Sequence, residues 1–147
     1  MNLSVIRTYR TQIEEALRLE LAELQRSLHV EQQIQQVLLT EVEAGTAEFL
    51  KMAHAGMTVD EARAQQGKLD GLAQAIRKAR ETIAMAQRRY EQKLTEVVEA
   101  SRERKKLEIL EERDAVRKTK LEQRREQSAL DQAASARFRT REAGNEA

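Results

Sequence analysis

The sequence predicts an all-α protein in which two long helices form an antiparallel coiled-coil hairpin, with the second helix longer than the first. Three observations predict this fold. Strong helix formers make up most of the chain, 35% of the residues are charged, and proline is absent. Apolar residues recur at alternating spacings of three and four, as in a coiled-coil seam. A helix-stop signal at Gly56 is followed at once by a helix-start signal at Thr58.

The first helix is predicted to span residues 3–54. Eight of its apolar residues fall on one track whose steps alternate between four and three residues. Such a track keeps a single narrow stripe turned toward a partner helix, because two helical turns take about seven residues. The track consists of Leu17, Leu21, Leu24, Leu28, Leu38, Val42, Phe49 and Met52, with Glu31, Gln35 and Gly45 at its weaker positions.

The turn is predicted at residues 55–57. Glycine adopts the left-handed conformation without steric cost, so Gly56 is the expected C-cap of the first helix. Thr58 and Glu61 have the spacing of a capping box, which begins the second helix. A turn this short joins antiparallel neighbours. Gly67 and Gly71 are interpreted as small residues that let the two helices approach near the turn, with a groove for a partner as the alternative.

The second helix is predicted to span residues 58–141, and its apolar heptad indicates a left-handed supercoil. Facing residue numbers are expected to sum to about 111, which pairs Val42 with Leu69 and Gly45 with Gln66 and Gly67. Beyond about residue 110 the helix should overhang the first and fray without a partner, with a disordered tail at residues 142–147. The heptad consists of Leu69, Ile76, Ile83, Tyr90 and Val97, with Leu72, Ala79, Ala86, Ala100 and Leu107 as companions and Lys93 as the exception.

A second apolar stripe lies beside the seam of the first helix. Val30, Ile34 and Val37 have helical spacing but fall off the main track. A two-stranded coil buries only one stripe per helix, so these residues either meet another protein or lie under neighbouring long side chains.

The sequence offers no chemistry of catalysis. It has no cysteine and only two histidines, and it lacks a phosphate-binding loop. Carboxylates on a two-helix rod have no pocket that would shift their pKa values. We therefore expect a protein that is not an enzyme and has no catalytic residue, cofactor or metal ion.

The charge distribution favours protein partners over nucleic acid. Residues 1–54 carry five basic and eight acidic residues, whereas residues 102–141 carry thirteen basic and eight acidic residues. Interleaved acids and an aromatic content of 3% argue against nucleic-acid binding. The basic excess favours an acidic protein partner. Without a signal peptide or a long apolar segment, the chain is expected to be cytoplasmic and not to insert into a membrane.

Four segments together resemble the flagellar export protein FliJ family. They are Gly-Met-Thr-Val-Asp-Glu at residues 56–61 and the stretches at residues 102–113, 124–131 and 136–139. The resemblance implies a component of the flagellar type III export apparatus that supports motility and chemotaxis. Such a protein is stalk-like and a monomer when free. It binds the ring of the export ATPase and promotes ring assembly, contacts the cytoplasmic domain of the export gate protein FlhA, and escorts export chaperones at the flagellar base, peripheral to the cell membrane.

The resemblance also implies two sets of partner-binding residues. The ATPase end would consist of Tyr9, Arg10, Ile13, Arg102, Lys105, Lys106, Arg113 and Arg117. The export-gate face would consist of Val30, Ile34, Val37, Leu38, Leu72, Ala75 and Ala79.

Two other functions are compatible with a long coiled-coil sequence of this kind. One is the stalk protein of an injectisome, which neighbouring genes would distinguish. The other is a generic dimeric coiled-coil scaffold with continuous strands, against which the stop and start at Gly56 and Thr58 argue.

Overall fold

The computed structural model describes residues 2–145, and these fold into two helices. Helix α1 spans Leu3–Ala55 and helix α2 spans Val59–Asn145, with lengths of 53 and 87 residues. No strand occurs in this described part of the chain. The prediction of an all-α hairpin with a longer second helix is confirmed.

The turn between the helices has the two caps that the sequence predicted. Gly56 has a φ of 92°, which is the left-handed conformation of a helix C-cap. The Glu61 backbone N–H donates to Thr58 Oγ1 at 3.2 Å, and the Thr58 N–H donates to Glu61 Oε2 at 3.4 Å. These reciprocal bonds form a capping box and satisfy two backbone donors at the start of α2.

The C-terminal end of α2 differs from the prediction. The helix continues through Asn145, so residues 142–145, expected to be disordered, are helical. Glu142 and Ala143 are strong helix formers, and the single Gly144 costs a helix only about 1 kcal/mol. Residues 146–147 of the predicted tail lie outside the described residues.

Contacts divide the described chain into two compact units, which are taken separately below. The hairpin unit comprises residues 12–100, and the terminal unit comprises residues 2–11 and 101–145. A single domain over residues 1–141 stays a prediction.

In the hairpin unit, the residues predicted to form the seam are the ones that are shielded from solvent. Every α1 position on the predicted track from Leu17 to Met52 is buried or half-buried, including the polar and glycine positions. The same holds for the α2 heptad from Leu69 to Ala100. Leu28, Ile76, Ala79 and Val97 are the buried apolar residues of the described chain. So small a core is the consequence of two helices burying one stripe each.

The pairing of the two seams differs from the predicted one by about three residues. A Cβ placed on Gly45 would lie 3.2 Å from Leu69 Cδ2, and Lys93 Nζ lies 2.7 Å from Glu20 Oε2. Facing residue numbers therefore sum to 113 or 114, and Gly45 faces Leu69 where Gln66 and Gly67 were expected. The reason is that α1 ends at Ala55 and α2 begins at Val59, which centres the turn on Met57.

Gly45 is the glycine at which the helices come close. Gly67 and Gly71 are exposed, and a Cβ on either would meet nothing within 4 Å. The interpretation of Gly67 and Gly71 as residues that let the helices approach is therefore wrong. They lie off the heptad track that faces α1, whereas Gly45 lies on it.

In the terminal unit the beginning of α1 covers one side of α2. Leu3 and Ile6 are half-buried, as are Leu107 and Glu111 on α2. The Arg7 guanidinium pairs with Glu111 at 2.9 Å. From residue 112 to residue 145 every residue is exposed, so the overhang begins close to where the sequence predicted it.

Candidate partner-binding surfaces

A lysine occupies an apolar position of the hairpin seam. Lys93 is half-buried, and its ammonium group bonds Glu20 of α1 at 2.7 Å and Glu96 of α2 at 2.8 Å. The hydrogen bond with Glu20, followed by that with Glu96, raises the pKa of Lys93 above its ordinary value. A single polar residue in a seam favours one register, because any slip separates it from its partners.

The second apolar stripe of α1 is exposed. Val30, Ile34 and Val37 are 55%, 46% and 57% exposed, and they line a shallow groove with Gln33 and the half-buried Leu38. We call Val30, Ile34 and Val37 the α1 apolar strip. Because neighbouring side chains leave about half of each residue accessible, the strip is a surface that another protein can cover.

The remaining residues of the predicted export-gate face belong to the interior of the hairpin unit. Leu38, Leu72 and Ala75 are half-buried, and Ala79 is 7% exposed. Leu38 and Leu72 lie on the seam tracks. The predicted face thus separates into an accessible strip on α1 and a set of residues that already pack between the helices.

Most of the predicted ATPase end lies in the terminal unit. Tyr9 is 60% exposed, and Arg10 is half-buried. Ile13 is half-buried and belongs to the hairpin unit. The basic residues of α2 in this set are all exposed: Arg102, Lys105, Lys106, Arg113 and Arg117.

Ion pairs on α2 leave part of this basic charge uncompensated. Lys106 bonds Glu103 at 3.1 Å, and Arg104 bonds Glu108 at 2.7 Å. Glu111 uses one carboxylate oxygen for Arg7, and its buried Oε1 has no hydrogen-bond partner among the described residues. The Lys106–Glu103 pair is exposed, and an exposed pair contributes only about 0.2–1 kcal/mol, so it restrains its side chains more than it stabilises the fold.

Sequence reasoning missed a buried carboxylate. Glu14 is 5% exposed and accepts hydrogen bonds from Arg18 Nε and Nη2 at 3.1 and 2.8 Å. Glu14 lies seven residues before Leu21, at the same position of the seam track. The spacing could therefore have predicted that Glu14 is buried.

Two further observations concern chemistry and membranes. Within residues 2–145 no three His, Cys, Asp or Glu side chains come together as metal ligands would. The described helices contain no segment that is apolar enough to cross a lipid bilayer.

The chain is similar to a known protein family. A family model described as "Flagellar FliJ protein" matches residues 1–143. No curated protein and no solved structure matches the chain.

Proposed function

We propose that this chain, which belongs to the flagellar FliJ family, acts as a stalk-like coiled coil that binds the ring of the export ATPase and promotes its assembly. Membership of the family makes the chain a flagellar export-associated protein. The observation that supports the stalk role is the end of α2. Its residues 112–145 form a helix that is exposed on every side.

An exposed single helix would be stabilised by packing against a partner. Thirty-four residues at about 1.5 Å each extend for about 50 Å, and such a helix gains no stability from tertiary packing. Docking into a ring of ATPase subunits would supply that packing. The basic excess of residues 102–141 would also steer the helix toward acidic surfaces of the ATPase.

The α1 apolar strip is the proposed contact for the export gate protein FlhA. Covering Val30, Ile34 and Val37 would bury apolar surface worth about 25 cal/mol per Å². The half-buried Leu38 lines the same groove as the strip and would lie beneath the covering partner. Escort of export chaperones and a position at the flagellar base, peripheral to the cell membrane, complete the proposal by analogy with the family.

The free protein is proposed to be a monomer. Gly56 and the Thr58 capping box reverse the chain, and the two seams of one molecule cover each other. A dimeric scaffold with continuous strands would require residues 56–58 to be helical, and they are not.

Purified export ATPase from the same bacterium tests the first part of the proposal. We expect the chain to raise both the fraction of hexameric ATPase, measured by mass photometry, and the rate of ATP hydrolysis. Reversing the charge of Arg102, Lys105 and Arg117 to Glu should reduce both effects several-fold, because these residues are exposed and basic in the terminal unit. The matched control reverses Lys51, Lys68 and Lys78, which are exposed in the hairpin unit. Equal loss in both variants, or no stimulation by the unmodified chain, contradicts the proposal.

Binding to the cytoplasmic domain of FlhA tests the second part. The double substitution Val30→Ser and Val37→Ser should weaken binding about tenfold or more in calorimetry, since each removes an accessible valine from the strip. Leu19→Ser with Leu50→Ser is the control, because these leucines are also exposed on α1 but off the strip. The gate assignment is refuted when the control weakens binding as much as the strip variant does.

A further inference from the structure

One face of α2 in the terminal unit is turned toward α1, and the opposite face is open. Leu107 and Glu111 are half-buried, and Glu111 pairs with Arg7. Ile109 and Arg113 point away from that side, and both are exposed. With 3.6 residues per turn, residues 109, 113 and 116 lie roughly opposite residues 107 and 111.

The open face alternates basic and apolar residues at steps of three and four. The basic residues Lys106, Arg113 and Lys120 are seven residues apart, and the apolar residues Ile109 and Val116 fall between them, also seven apart. All five residues are exposed. We call these five residues the basic outer seam. Each seven-residue step is about 10.5 Å along the helix, so cations and apolar side chains form two parallel rows.

The heptad positions of the basic outer seam carry no acidic residue. The same 3–4 steps lead on through Gln123, Gln127, Leu130, Ala134, Arg137 and Arg141, which include no Asp or Glu. The acidic residues of this region lie at other heptad positions: Glu103, Glu108, Glu111, Glu112, Asp114, Glu122, Glu126 and Asp131. Within residues 2–145, Arg113 and Lys120 form no ion pair, and Lys106 forms only the exposed pair with Glu103. The two rows of the seam therefore carry only positive charge, while Glu103 and Glu112 flank them.

Alternating steps of three and four are the spacing at which one helix receives the side chains of another. The row of Ile109 and Val116 gives a second helix an apolar line of contact. The row of cations would oppose carboxylates at the edge of that contact, and uncompensated cations favour such an arrangement by charge complementarity. We propose that the basic outer seam docks an acidic amphipathic helix of a partner protein.

This inference deepens the proposed function and rests on it only for the identity of the partner. Nucleic acid is the other ligand that a basic row attracts. Binding to phosphates makes no use of Ile109 and Val116, and the only aromatic residue of the overhang is Phe138. The apolar row therefore favours a protein helix.

A designed peptide tests the seam without requiring the ATPase. The probe is a fluorescently labelled helical peptide of about 25 residues whose Leu and Glu residues alternate at 3–4 spacing. A second peptide has the same composition with this spacing scrambled. Fluorescence anisotropy with the full chain should show binding of the first peptide that is at least about tenfold tighter than binding of the second.

Charge reversal on opposite faces gives the matched comparison. The pair Arg113→Glu and Lys120→Glu removes two cations of the seam, and the pair Lys118→Glu and Arg125→Glu removes two from the opposite face of the same helix. Both variants change net charge equally, and all four residues are exposed. We expect the seam pair to weaken peptide binding about tenfold or more and the opposite pair to weaken it less than about threefold.

The apolar row needs its own variant. Ile109→Ser with Val116→Ser should also weaken peptide binding several-fold, while the helical signal in circular dichroism stays unchanged because both residues are exposed. The proposal is overturned by equal weakening from the two charge pairs, by equal affinity for the scrambled peptide, or by a single-stranded oligonucleotide that competes as well as the unlabelled peptide. If the chain prefers the peptide with 3–4 spacing but does not stimulate the ATPase, the proposed function is refuted and the docking surface is still supported.

Discussion

Replacing a glycine by leucine at two positions tests the pairing of the helices in the hairpin unit. Gly45 and Gly67 are both inside helices, so either substitution should gain about 0.8–1 kcal/mol of helix propensity. The sites differ in their surroundings. A Cβ on Gly45 meets Leu69 Cδ2 at 3.2 Å, whereas a Cβ on Gly67 meets nothing within 4 Å.

The difference between the two variants isolates the packing at Gly45. A separation of 3.2 Å is already tighter than an ordinary Cβ contact, and leucine adds three further carbon atoms in the space that Leu69 occupies. Overpacking of this kind costs about 1–3 kcal/mol. Because the propensity gain cancels in the comparison, Gly45→Leu should be less stable than Gly67→Leu by about 1–3 kcal/mol.

Urea unfolding followed by circular dichroism at 222 nm provides the measurement. We expect Gly67→Leu to be more stable than the unmodified protein and Gly45→Leu to be less stable than Gly67→Leu, with similar m-values in all three. Equal free energies of unfolding for the two variants would falsify the pairing of Gly45 with Leu69. A changed m-value in Gly45→Leu alone would mean that the helices had paired differently.

Three other variants probe the turn and the polar position of the seam. Gly56→Ala should lower the free energy of unfolding by about 1–2 kcal/mol in thermal or urea unfolding, since its φ of 92° is unfavourable for a residue with a Cβ. Thr58→Ala should cost about 1 kcal/mol in the same assay, because it removes the acceptor for the Glu61 N–H. The raised pKa of Lys93 predicts a stabilisation that is complete below the ordinary lysine value of 10.5 and is lost as pH rises through the higher folded-state pKa. Urea midpoints should therefore fall more steeply above pH 10.5 in the unmodified protein than in Lys93→Met, and identical pH profiles would contradict the role given to Glu20 and Glu96.

The features that depend on local sequence were predictable. The seam positions follow from a sevenfold spacing that the chain repeats many times, so one irregular residue such as Lys93 does not obscure the track. The turn follows from Gly56 and the Thr58–Glu61 pair, whose conformations are determined within four residues.

The features that depend on contacts between distant residues were less predictable. The pairing of Gly45 with Leu69 depends on where the turn is centred, and a change of one residue in that centre moves facing numbers by two. Glycines also look alike in a sequence: Gly45 lies at the helix contact, while Gly67 and Gly71 are exposed. The sequence predicted the α1 apolar strip as a stripe. It did not show that Leu72, Ala75 and Ala79 of the predicted gate face are buried or half-buried, whereas the strip is exposed.

We propose that stability and partner binding depend on different parts of α2. In the hairpin unit the heptad positions that face α1 carry Ile76, Ala79 and Val97, and their burial stabilises the fold. Beyond residue 111 the same heptad positions carry polar residues such as Lys118 and Arg125, with Leu121 as an apolar exception, and all of them are exposed. Substitutions in this overhang therefore remove no packing and should leave the free energy of unfolding within about 0.5 kcal/mol of its original value. We expect them instead to weaken binding of the partners proposed above, because these exposed side chains are accessible to another protein.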